Sequence, residues 1–134
     1  MNPFEYTDRL TEVFTGDKKL RDLLDAGEPS ESRAFAMKFR RKDQEFDEFE
    51  PSDLSFIAFY FVDTDSTKNS LVNKGLLRIE IYAKRRSIAA EIRHRIVELM
   101  HNEFDERVVA EGQKVSGIKE VFKYRLEFRP LVFN

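Results

Sequence analysis

Residues 73–100 read NKGLLRIEIYAKRRSIAAEIRHRIVELM, and the hydrophobic period changes once along them. Leu77, Ile79, Ile81 and Ala83 alternate with Arg78, Glu80, Tyr82 and Lys84, the two-residue period of a strand that buries one face. Lys84-Arg85-Arg86 closes that strand. Ser87 is placed to cap a helix in which Ile88, Ile92, Ile96, Leu99, Met100 and Phe104 form one stripe. Glu91, Arg93, His94, Arg95 and Glu98 fall largely outside it. A half-buried strand running straight into a long amphipathic helix points to a sheet with helices laid on it.

The flanking sequence extends this pattern in both directions. Asn2 and Pro3 can open a helix that carries Phe4, Leu10, Val13 and Phe14 on one face. Thr15-Gly16 interrupts, and Asp17 caps a second helix, KKLRDLLDA, which Gly27 can stop. Between Arg33 and Arg41 the residues Phe35, Met37 and Phe39 alternate with Lys38 and Arg40, so a strand is expected. LSFIAFYFV (54–62) is apolar on both faces. It fits a strand covered on both sides, or on one side by a partner chain. Residues 63–73 read as a loop. A loop with Gly112 and Gly117 leads to a last strand, Phe122 to Phe128, with room for a further short strand near Val108. Pro130 then breaks the ladder before LVFN. The expected product is a single α+β domain over residues 1–134. Its mainly antiparallel sheet has about four strands, with the long helix and the N-terminal helices packed on one face.

Composition restricts the function. Hydrophobic residues make up 41% and charged residues 36%, and the thirteen Phe stand beside no Trp and no Cys. Phe, Ile and Leu should therefore build the core, and disulfides and thiolate metal sites are excluded. No apolar run reaches membrane-spanning length, and the N-terminus lacks a signal-peptide pattern, so the chain reads as soluble and made inside the cell. The net charge is −2, but its distribution is uneven. Asp43, Glu45, Asp47, Glu48, Glu50 and Asp53 cluster with Lys42 as the one base among them. Lys74, Arg78, Lys84, Arg85, Arg86, Arg93 and Arg95 cluster against Glu80 and Glu91. Two solvated surfaces would explain this; so would complementary patches that join copies head to tail.

No catalytic constellation stands out. FYFVDTDST runs from an apolar strand into Asp63-x-Asp65, the shape of a phosphotransferase nucleophile motif, but the downstream acidic pair that chemistry needs is missing. The same stretch fails as a calcium loop, because Lys68 and Lys74 stand where Gly and Glu are required. His94 and His101 are seven apart, about 10 Å along a helix, too far for one metal. No catalytic, cofactor or metal residue is therefore assigned. Lys84-Arg85-Arg86 ahead of a helix bearing Arg93 and Arg95 suits phosphate, although the acidic net charge opposes it. The mixed signs of Arg78, Glu80, Tyr82, Lys84, Arg85 and Arg86 suit a protein partner better.

The layout resembles the tail-completion and tail-terminator proteins of long-tailed bacteriophages. DRLTEVFTGDKKLRDLLDAG is similar to their N-terminal helix and short Leu-rich helix, NKGLLRIEIYAKRRSIAAEIRHRIVELM to their central strand and long helix, and KYRLEFRPLVF to their last strand. The 42–53 and 54–62 stretches lie outside the resemblance. It implies a homo-oligomer, a hexameric ring that ends the tail tube and joins it to the head connector. The partners would be the tail-tube and neck proteins, with DNA as passive cargo through the lumen and no membrane. The protein would reside in the host cytoplasm during assembly and in the virion afterwards. Asp43, Glu45, Asp47 and Glu48 would then line the channel or reach a neighbouring subunit. The alternatives are a head-completion protein and, from another class, a nucleic-acid-binding module.

Overall fold

A computed structural model describes residues 1–42, 51–62 and 72–133. The fold is α+β. Helices α1 (Pro3–Gly16), α2 (Lys18–Leu24) and α3 (Arg33–Ala36) precede β1 (Phe39–Arg40) and β2 (Phe56–Val62). After β3 (Val72–Lys74) and β4 (Leu76–Ala83) comes α4 (Arg86–Phe104), then β5 (Ala110–Lys114), β6 (Phe122–Phe128) and β7 (Leu131–Phe133). The main sheet has five strands in the order β1-β2-β4-β6-β5, one more than expected, and only β1 pairs in parallel. β3 and β7 form a separate antiparallel pair.

Period-two patterning decides which face is covered. Ile57 and Phe59 of β2, Leu77, Ile79, Ile81 and Ala83 of β4, and Leu126 and Phe128 of β6 are buried against the helices. α4 contributes Ala89, Ile92, Ile96, Leu99 and Met100 to this core. α1 contributes Tyr6, Leu10 and Phe14, and the Phe14 ring meets Phe59 edge-on at 5.3 Å. Phe4, expected on that stripe, is 82% exposed. It lies two positions before Tyr6, more than half a turn away round the helix. The helix starts as expected: Asn2 accepts from the Glu5 N–H at 2.8 Å, and Glu5 closes a capping box.

Elsewhere the local expectation gives way. Arg33 to Arg41 is not one strand. Ser32 caps a four-residue helix by accepting from the Phe35 N–H, and Phe35 packs against Phe39 at 5.3 Å. Aromatic residues four apart satisfy a helical turn as well as an alternating strand, and the Ser32 cap decides between them. α4 begins at Arg86 with Arg85 at the cap position, where no side chain caps it, so Ser87 lies inside the first turn. Residues 72 and 73, read as the end of a loop, belong with Lys74 to β3, whose partner is the C-terminal strand. Gly75 follows because a Cβ there would stand 2.9 Å from the Phe61 ring. Gly112, also read as loop, lies in the middle of β5.

β2 is apolar on both faces because both are covered. On the side away from the helices Phe56, Ala58 and Tyr82 are buried with Leu54, Ile118 and Val121 against them. The segment between β5 and β6 supplies that cover.

Two substitutions probe the main core in opposite directions. Phe59→Ala should lower unfolding free energy by about 3–5 kcal/mol. The Tyr6 hydroxyl is buried and has no hydrogen-bond partner among the described residues, so Tyr6→Phe should raise stability by about 1 kcal/mol. Urea unfolding midpoints of both variants against the parent check the pair.

A charged sheet face as candidate interaction site

Three rows of residues cross the sheet on the face away from the helices. Phe56, Tyr82, Lys123 and Lys114 form one, Ala58, Glu80, Arg125 and Gly112 the next, and Tyr60, Arg78, Glu127 and Ala110 the third. They share this face because their neighbours in sequence are the apolar residues that face the helices. Ala58 and Gly112 keep the middle row low at its ends, and longer side chains lean over Glu80 between them.

Glu80 has no exposed surface. It accepts from the Tyr60 hydroxyl at 2.7 Å and from Arg125 Nε at 3.0 Å, and Lys123 Nζ stands 3.2 Å away. Arg78 Nε donates to Glu127 at 3.0 Å beside it. The aromatic row continues the network: Tyr82 stacks on Phe56 at 4.6 Å, Lys123 sits over the Tyr82 ring, and the Arg40 guanidinium lies 3.8 Å over Phe56. The charge-assisted bond that Arg78 donates to Glu127 holds the guanidinium above its ordinary range.

The six residues proposed to meet a partner separate into two groups. Arg78, Glu80 and Tyr82 belong to this network, Glu80 and Tyr82 being fully covered, so within the protomer they shape the face. Lys84, Arg85 and Arg86 are exposed where β4 passes into α4. Asp43, Glu45, Asp47 and Glu48 lie outside the described residues. Lys123, Arg125 and Glu127 were missed as site residues, although their signal was legible. They alternate with Phe122, Tyr124, Leu126 and Phe128 and oppose β4 with complementary charge.

The helix side adds two tethers. Arg93 grips Glu111 with two bonds of 2.9 and 2.8 Å, and the Tyr124 hydroxyl donates to the same carboxylate at 2.6 Å. Arg95 likewise grips Asp17, whose carboxylate also accepts from the Leu20 N–H to cap α2. Both carboxyls are held below the ordinary range, chiefly by the arginine hydrogen bonds. Above the first tether, Arg86, Ala89, Ala90, Arg93, Phe122 and Tyr124 line a groove of about 140 Å³. The Phe122 and Tyr124 rings lie nearly parallel there, 6.5 Å apart. Typical small-molecule sites are larger, about 300 Å³ or more.

Among the described residues no His, Asp or Glu cluster of three gathers where a metal could sit, and no helix is long and apolar enough to cross a membrane.

Removing the Glu80 carboxylate takes the counter-ion from Lys123 and Arg125 and one acceptor from the Tyr60 hydroxyl. Glu80→Ala should therefore cost about 3–5 kcal/mol in urea unfolding, and Glu80→Gln, which keeps acceptor and shape, distinctly less. Acid should weaken the two tethers. A carboxyl whose folded value is depressed adds stability above its unfolded value, and that stability is lost as pH falls through the folded one. Asp17→Asn with Glu111→Gln keeps the cap but should flatten the acid limb of melting temperature against pH.

No protein-family model matches the chain, and no curated protein matches it either.

Proposed function

We propose that the chain is a structural protein of the neck or tail end of a long-tailed bacteriophage. Copies associate into a hexameric ring that ends the tail tube and offers a surface to the head connector, while DNA passes through the lumen. Its work is interface formation rather than bond chemistry.

What supports this reading is the way the three resembling segments combine. α1 and α2, the β4–α4 unit and β6 pack around one core, with α2 on α4 and α4 on both β4 and β6. The three segments on which the resemblance rests thus form one framework, helices on one face of the sheet. The charged sheet face adds a mechanical argument. Its carboxylates and cations bond to one another, which fixes the sheet's shape for repeated, identical contacts. The exposed Lys84-Arg85-Arg86 corner adds directional charge, which steers encounter and rejects wrong partners more than it adds affinity. A head-completion protein would use the same features at a neighbouring position of the neck.

One observation favours a second reading, a nucleic-acid-binding module. Arg86 shares its groove with the parallel Phe122 and Tyr124 rings. Ring faces beside cations bind single strands by stacking and charge.

Light scattering after size exclusion, with and without isolated tail tubes, separates the readings. A ring-sized particle, free or formed on the tubes, is expected. A chain that ignores tubes yet retains single-stranded DNA with steep salt dependence, and loses it in Phe122→Ala and Arg86→Ala, would overturn the assembly reading.

A further inference from the structure

The first two turns of α4 leave a slot between the helix and the sheet. Arg86, Ala89, Ala90 and Arg93 recur at the spacing that puts residues side by side on a helix. Between the two arginines α4 offers β6 only the methyls of Ala89 and Ala90. Phe122 and Tyr124 are therefore only half-buried, although both pack against the core. The groove that results is about 140 Å³. An apolar cavity of about 150 Å³ holds one benzene ring, so this groove is sized for a single ring.

Its charges select what that ring is attached to. Arg93 is occupied by Glu111, which also accepts from the Tyr124 hydroxyl. Arg86 is exposed and makes no hydrogen bond or ion pair among the described residues. Its charge is still felt at the Tyr124 hydroxyl, so it stands over the groove. Lys84 and Arg85 are exposed beside it. A peptide with one aromatic ring between carboxylates would fill the slot and neutralise this corner.

The chain itself contains such a peptide. Residues 45–50 read EFDEFE, which sets Phe46 and Phe49 each between two acids. Phe104 also stands between acids, but it packs against the core. The acidic stretch follows Lys42, just beyond β1, and ends at Pro51. Close to Pro51, Asp53 is held by Lys38 and Arg40 from the β1 side. The groove belongs to the other edge of the sheet, because Arg93 reaches Glu111 on β5. Helices α1 and α4 lie over the strands between. The anchors of the acidic stretch and the groove thus sit at opposite edges of one copy.

We propose that the groove receives Phe46 or Phe49 of a second copy, with the flanking carboxylates set on Arg86, Arg85 and Lys84. The contact is heterologous, a groove at one edge meeting a ring from the other, so copies join head to tail. It deepens the assembly reading and rests on it only for closure of the row into a ring. One anchored ring amid exposed ion pairs makes a weak contact, which salt should weaken further.

Sedimentation from about 1 μM to 1 mM should show the parent gaining mass with concentration, and less so in about 1 M salt. Two variants dissect the contact. Ala90→Leu fills the slot without touching charge, and Phe46→Ser with Phe49→Ser removes the rings. Each alone should associate about tenfold or more weakly at unchanged circular dichroism. Mixed in equal amounts they should pair and stop at the dimer, because the first keeps its rings and the second its groove. Arg86→Glu, which places an acid where a helix N-terminus favours one, should weaken the parent's association and keep the fold. A monomeric parent, or variants that fail to pair when mixed, would overturn the proposal. So would an Ala90→Leu protein that associates as the parent does but loses single-stranded DNA, which would hand the groove to nucleic acid. Tail tubes take no part in these measurements. Self-association of this kind in a chain that ignores tubes fails the neck reading alone, and rings on tubes that survive Ala90→Leu fail this contact alone.

Discussion

A carboxylate with no exposed surface sits in the central strand of the sheet. Tyr60, Lys123 and Arg125 converge on the Glu80 carboxylate there from the strands on either side. Desolvating such a charge costs several kcal/mol, and it is tolerated only with good geometry and satisfied lone pairs. The arrangement therefore ties three strands to one register. A one-residue slip of β4 would turn Glu80 into the aliphatic core and away from all three partners. Hydrophobic burial on the helix side drives the fold, and Glu80 makes one alignment of that apolar surface far better than the next.

The helices are aligned by the same kind of contact at the periphery. Asp17 ends α1 by donating its backbone N–H to the Phe14 carbonyl, and its carboxylate caps α2 and receives Arg95 from α4, so one residue sets the positions of three helices. Arg93 and Glu111 then fasten α4 to the strand at the sheet's far edge. These charged contacts contribute less than the core in energy. Unlike apolar packing they are directional, and that fixes how the helical layer sits on the sheet.

This division explains what the sequence made legible. The β4–α4 unit was clear because burial on one face imposes an unbroken period on many residues, and the same holds for β6. The capping box at Asn2 was clear because its partners lie within one turn. Failures came where a short segment satisfied two periods or where a distant partner decided. Phe35 and Phe39 suit a helix or a strand, and a serine cap chose. β3 exists because the C-terminal strand lies beside it, which nothing local to residues 72–74 announces. Gly112 read as loop, yet it lies in mid-strand, at the end of a row in which Arg125 turns to Glu80. For the candidate site, the alternating charges of β4 were read correctly as one face. Their mutual neutralisation was not, because it depends on β6 charges more than 40 residues away.

That neutralisation bears on where another protein can bind. A partner that drew Lys123 and Arg125 away from the buried Glu80 would break a buried pair, at a cost of about 3–5 kcal/mol. Docking along β5 separates no ion pair. Its outward backbone groups would exchange water for another chain at a net gain of about 0.5–1.5 kcal/mol per hydrogen bond. A partner that left the face intact would therefore bind at the edge or at the exposed Lys84-Arg85-Arg86 corner. On these magnitudes the charged face is the rigid part of the sheet, and a partner at the rim would disturb it least.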